Sequence, residues 1–213
     1  MIEWRLLQIS DSAFPAGGFA HSSGLEAARW LGEVAGEDDV AGFVTAALWQ
    51  AGSFGLPFVE AARRAGPDQP DALVALDRRC EAGLASHVTR RASRAQGRAW
   101  SRACADSLGL ALAPLPHGHL PVAFGATTRD LAMGGVRLVF LHLAARGPLS
   151  AAVRLGAIGP YAAQRVQDRI GAVAERVLVA CSGRAVDDAA SAAPLQELFG
   201  ALHDAMPARL FQS

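Results

Sequence analysis

The residues from Asp11 to Glu26, DSAFPAGGFAHSSGLE, gather an aspartate, a histidine, three serines and three glycines within sixteen positions. Those types serve nucleophilic catalysis, phosphate binding or a sharply turned backbone. A nucleophile elbow sets its serine in Gly-x-Ser-x-Gly between a strand and a helix. Here the order is Gly18-Phe19-Ala20-His21-Ser22-Ser23-Gly24, and no strand pattern precedes it. A phosphate loop needs a lysine after its second glycine, and the chain contains no lysine. The backbone reading accounts for more of the letters. Pro15 fixes φ, and Gly17-Gly18 permit tight or left-handed turns. Ser23-Gly24-Leu25-Glu26 has the spacing of a capping box, in which the Ser23 hydroxyl accepts the Glu26 N–H and the carboxylate reaches back. His21 is not explained by that device.

Other chemistry-bearing residues are scattered. His117-Gly118-His119 could place two imidazoles near one metal, but two ligands make a weak site and no third donor is close in sequence. His21, His87, His142 and His203 are isolated and read as cap or core residues, so no stable metal site is expected. Arg90, Arg94, Arg98 and Arg102 recur every four residues and form a stripe on one helix face. The stripe reads as a solvated face, a protein contact or a set of caps on helix C-termini. Nucleic-acid binding would need net positive charge and interleaved aromatics. Arg154 fits a helix cap or a dimer bridge. The ending PARLFQS has two apolar anchors. Docking Leu210 and Phe211 gains roughly 2 kcal/mol each, while fixing each backbone residue costs about 1–2 kcal/mol. Residues 207–213 are therefore expected to be mobile unless a pocket also takes their hydrogen bonds and the Arg209 charge.

The elements that must position these residues read as helices throughout. The 213 residues are 51% apolar and 19% charged, with 20 acids against 20 bases. That composition specifies one globular domain with no global field toward nucleic acid or an acidic membrane. Three cysteines at unrelated spacings imply buried thiols in a reducing compartment. MIEWRLLQIS carries an acid and no apolar run of signal length. Val40 to Val59 is uncharged over twenty residues, but Pro57 predicts two shorter buried helices in place of a membrane span. Helices are predicted near 24–35, 40–51, 57–65, 71–82 and 88–107, then near 121–133, 136–145, 149–157, 161–181 and 194–205, with 109–121 a loop. The expected fold is an all-α, single-domain bundle of about nine or ten helices.

LLQISDSAFPAGGFAHSSGLEAA resembles the N-terminal signature of the UreF family of urease accessory proteins. RRASRAQGRAWSRA, LPVAFGA and SAAVRLGAIG are similar to later family segments, and RLFQS resembles the family's RLF-x-S ending. The matches are collinear over nearly the whole chain. Departures are Asp204 after His203 in place of Glu, Pro160 in place of Gln, and Ala208 in place of a small polar residue. The resemblance implies a non-enzymatic, cytoplasmic, homodimeric helical protein with no cofactor of its own. It implies binding to UreD (also called UreH), recruitment of the GTPase UreG, and GTP-dependent loading of nickel cargo into the urease apoprotein, without nucleic acid or membrane. Arg209, Leu210, Phe211 and Ser213, with Arg154 and Gln164, are the implied partner-binding residues, and the tail is expected to order against UreD. The alternative is regulation of UreG through a surface arginine. Asp11, Pro15, Gly17, Gly18, His21, Ser23, Gly24 and Glu26 form the implied structural motif.

Overall fold

The computed structural model describes residues 2–212, with side chains from residue 4 onward. Among them are eleven α-helices and no strand: α1 Ile2–Ser10, α2 Leu25–Trp30, α3 Glu37–Gln50, α4 Leu56–Ala65, α5 Pro70–Gly83, α6 His87–Leu108, α7 Leu120–Thr127, α8 Met133–Arg154, α9 Pro160–Arg169, α10 Gly171–Cys181 and α11 Pro194–His203. The all-α expectation is borne out. α3 packs on α8, and this pair gathers α1, α2, α9 and α10, while α7 packs on both α4 and α6. Trp100 of α6 stands at the centre, its ring against Phe14 and Phe124, and Phe124 continues to Phe140. A smaller apolar cluster lies between α4, α5 and α7, around Phe58 and Leu73.

Short-range signals set several helix ends. Ser86 caps α6, its hydroxyl accepting the N–H groups of Val88 and Thr89. Gly109, at φ 68°, ends that helix in the left-handed conformation. Asp39 caps α3 from within its first turn, accepting from the N–H groups of Ala35 and Gly36 at 3.0 and 3.1 Å.

Two expected breaks are absent, and one unexpected break is present. Pro57 does not separate two helices. α3 runs through a π-helical turn, Ala51–Gly55, into α4, so the chain stays helical across the proline. The missing Pro57 N–H leaves the Ser53 carbonyl free for Ala190, whose N–H donates to it at 3.3 Å. Gly147-Pro148 does not end a helix either, because Pro148 lies inside α8, buried with Leu149. α8 is long and apolar enough by length and composition to cross a membrane, but 50% of its most apolar window is buried within the bundle. The single helix expected over 161–181 is two, α9 and α10, meeting at the buried Ile170.

Candidate functional site: the opening stretch and the C-terminal tail

The opening stretch is a chain of turns pinned to the core. Asp11 Oδ1 accepts the Ala13 N–H at 2.7 Å, and the Asp11 carbonyl accepts that of Phe14. Phe14 is thereby aimed at Trp100, with ring centroids 5.2 Å apart. Gly17 is left-handed at φ 74° and lies on α6, where an added Cβ would stand 2.9 Å from that of Ala99. A 3-10 turn over Gly18–Ala20 follows. Gly24, at φ 89°, lies on α11, where a Cβ would come within 3.0 Å of the Gln196 carbonyl and the Gly200 nitrogen. Pro15 is exposed and Gly18 half-buried.

The capping box predicted at Ser23 does not form. Ser23 takes φ 57° ahead of the left-handed Gly24, so its hydroxyl is not placed over the first turn of α2. Ser22 Oγ accepts the Glu26 N–H instead, at 3.4 Å. The Glu26 carboxylate is buried and turned away from its own helix start. Its Oε2 accepts from His203 Nε2 at 2.9 Å and from the Phe211 N–H at 3.2 Å, and its Oε1 accepts from the Leu210 N–H at 2.6 Å.

Glu26 also overturns the expectation of an undocked tail. The physical conditions set for docking are met within the chain itself. Hydrogen bonds from backbone N–H to a carboxylate contribute about 1.5–3 kcal/mol each, which offsets the ordering cost. The Gln212 N–H donates to the Ala20 carbonyl at 2.8 Å, and Arg209 donates to Asp204 at 2.9 Å. Phe211 is buried, while Leu210 remains 56% exposed. Ser213 lies outside the described residues.

Arg154 is part of the same dock. Its guanidinium stands 3.9 Å from the Phe19 ring centroid and 4.3 Å from that of Phe211, and it donates to the Phe19 carbonyl at 2.6 Å. Gln164 takes no part in this set of contacts and is exposed on α9. The Arg stripe is divided: Arg90 and Arg94 are half-buried, while Arg98 and Arg102 are exposed. Arg90 caps the end of α5, donating to the carbonyls of Leu84 and Ala85 at 2.8 and 2.9 Å. Arg94 pairs with Glu81, and Arg98 donates to the His117 carbonyl at 3.2 Å.

Two parts of the dock had no signal in the sequence. Asp204 binds Arg91 through both carboxylate oxygens, at 2.7 and 3.0 Å, and meets His87 at 3.0 Å. The hydrogen bond from Arg91, then that from His87, holds the Asp204 carboxyl far below the usual range. Arg91 and Asp204 are 113 positions apart, so no local spacing reports them. His21 is buried beside this cluster. Burial, then the charges of Arg91 and His203, push its pKa down to about 4. The unfolded chain protonates His21 near pH 6.5, whereas the folded chain resists protonation until about pH 4. The unfolded state therefore binds the extra proton as pH falls between those values, and stability decreases by up to about 3 kcal/mol. Urea unfolding from pH 7 to pH 4 should show that loss, and His21→Gln should flatten it.

Beside the opening stretch lies a cavity of about 960 Å³, lined by Phe14, Gly17, His21, Trp100, Phe140 and Gln196 among others. His117 and His119 end the loop before α7, with His119 Nδ1 3.0 Å from Ser93 Oγ in the cavity wall. Among the described residues, no group of three His, Cys, Asp or Glu side chains is arranged to hold a metal ion.

The family model described as UreF matches residues 34–171. Urease accessory protein F of Oryza sativa subsp. indica is 34% identical over 230 residues, covering 98% of this chain and 84% of the relative. Urease accessory protein F of Arabidopsis thaliana is 32% identical over 226 residues, covering 100% and 93%. Urease accessory protein UreF of Dinoroseobacter shibae is 30% identical over 214 residues, covering 98% and 97%. With a family model across most of its helices and relatives aligned from end to end, the chain belongs to the UreF family of urease accessory proteins.

Proposed function

We propose that this urease accessory protein is a cytoplasmic, homodimeric scaffold whose part in urease maturation is non-catalytic. It binds UreD (UreH), and with it recruits the GTPase UreG for GTP-dependent insertion of nickel into the urease apoprotein. Nickel is cargo of that assembly, and the scaffold needs no cofactor of its own. The observation that carries the reading is the docked tail. The opening stretch and the RLFQS ending meet on one surface through Glu26 and Arg154. That surface presents Phe19, 69% exposed, and Leu210. Exposed apolar anchors beside a ring of paired charges suit a protein interface.

Arg154 serves this reading as a structural wedge between Phe19 and Phe211. A role as a charge donated to the UreG phosphoryl site would require it to leave both rings.

The test is co-purification of the tagged chain with UreD and UreG, with and without residues 207–213. The full-length chain should elute with both partners, and the truncation should free them while helix content is retained. Recovery of the full-length chain alone at low salt, or of an intact complex after truncation, would overturn the reading.

A further inference from the structure

Behind the cavity wall a second set of polar groups is built with more constraint than packing requires. His119 is fully buried. Its Nε2 lies 2.8 Å from Glu81 Oε2, and its Nδ1 lies 3.0 Å from Ser93 Oγ. An ionised carboxylate only accepts, so the ring proton is on Nε2. Nδ1 is then bare and accepts the Ser93 hydroxyl. The order Ser O–H to imidazole N, imidazole N–H to carboxylate, is that of an activated hydroxyl.

Each member is held. Asp77 accepts the N–H groups of His117, Gly118 and His119 at 2.6, 3.1 and 2.9 Å, which fixes the loop that carries the imidazole. Burial raises the Glu81 pKa, but the hydrogen bonds from Arg94 and His119 outweigh it and hold the group ionised. Burial lowers the His119 pKa against the pull of Glu81, which keeps the ring neutral and able to accept a proton. Ser93 is only partly buried and lines the 960 Å³ cavity. Thr89 and Gln96, one turn to either side on the same face of α6, line it too and carry O–H and N–H donors. The remaining wall is largely apolar, with Phe54, Trp100 and Phe140.

We propose that Ser93, His119 and Glu81 form an acyl-transfer site whose substrates are esters of small apolar carboxylic acids bound in this cavity. Ser93 Oγ attacks the ester carbonyl carbon as its proton passes to His119 Nδ1. The tetrahedral intermediate collapses, the ester C–O bond breaks, and the alcohol leaves with the proton from Nδ1. Water then attacks the acyl-Ser93 by the same route and releases the acid. Glu81 keeps the imidazole oriented and stabilises its transient charge, while Thr89 and Gln96 offer donors to the developing oxyanion. The scaffold role requires none of this, so the two readings stand or fall separately.

The experiment uses the purified full-length chain with p-nitrophenyl butyrate as substrate and a fluorophosphonate as covalent probe. Turnover roughly 10²-fold above the buffer rate is expected, in line with general-base assistance, together with one probe mass on the peptide carrying Ser93. Ser93→Ala, a small change on a partly exposed face, should keep the circular dichroism spectrum and lose both signals. The rate should also fall as pH drops below the point where His119 accepts a proton. Unchanged turnover in S93A, probe attached elsewhere, or no reaction by the folded wild-type chain would each overturn the proposal.

Discussion

Gly97→Ala is expected to destabilise the protein by about 3–5 kcal/mol, even though alanine is the better helix former by about 1 kcal/mol. Gly97 is buried in α6 where the loop before α7 crosses it. An added Cβ would stand 2.1 Å from the Gly118 carbonyl oxygen and 2.6 Å from the Leu120 nitrogen. Those atoms are backbone, and Asp77 pins them from the other side. Neither partner can yield by rotating a side chain, so the helix and the loop must separate. The melting temperature should fall by roughly 6–20 °C for a chain of this size. Gly42 provides the control. It is exposed in α3, with nothing within 4 Å of its would-be Cβ. Gly42→Ala should stabilise by up to about 1 kcal/mol. Thermal and urea unfolding of the two variants should move in opposite directions. A stabilised Gly97→Ala would show that the loop does not rest on α6.

Asp77→Asn is expected to cost about 3–5 kcal/mol despite its matching shape. Asp77 is fully buried, and both of its oxygens accept backbone N–H groups from residues 117–119. An amide keeps one oxygen and turns the other into a donor that faces donors. One or two N–H groups are left without a partner, and the bonds that remain lose the contribution of the charge. The urea midpoint should fall with an unchanged m-value. A change below about 0.5 kcal/mol, the range of neutral surface substitutions, would mean that the loop is held by its leucines alone. Leu110, Leu112 and Leu115 do pack against the core. Both variants should also displace His119 from Ser93, because Gly97 and Asp77 both bear on the Gly118–His119 backbone.

Much of this architecture is legible in the sequence, for reasons that are local. α6 is fixed by Ser86, its apolar stripe and Gly109. Pro70 and Pro194 sit at the starts of their helices, where the missing N–H costs nothing. The misreadings share one cause, namely that distant contacts decide them. Ser23 and Glu26 have the letters of a capping box, but the carboxylate has better partners 177 and 184 residues away. Pro57 and Pro148 have the letters of helix ends, yet burial against neighbouring helices outweighs one lost backbone bond at each. The two apolar side chains of the tail do not reveal the pocket that Glu26 and Asp204 provide. Resemblance supplied the family through the first and last segments, and local spacing gives no indication that these two touch.

The dock also orders events in time. Glu26 waits for Leu210, 184 residues later in the chain. At about 5–20 residues per second, synthesis needs roughly 10–40 s to span that distance. Throughout that interval the nascent chain can fold its central helices, but its buried carboxylate lacks the two N–H groups that it will finally hold. The surface formed by the opening stretch and the tail therefore comes into existence only after Leu210 and Phe211 have been synthesised, well behind the helices that carry it.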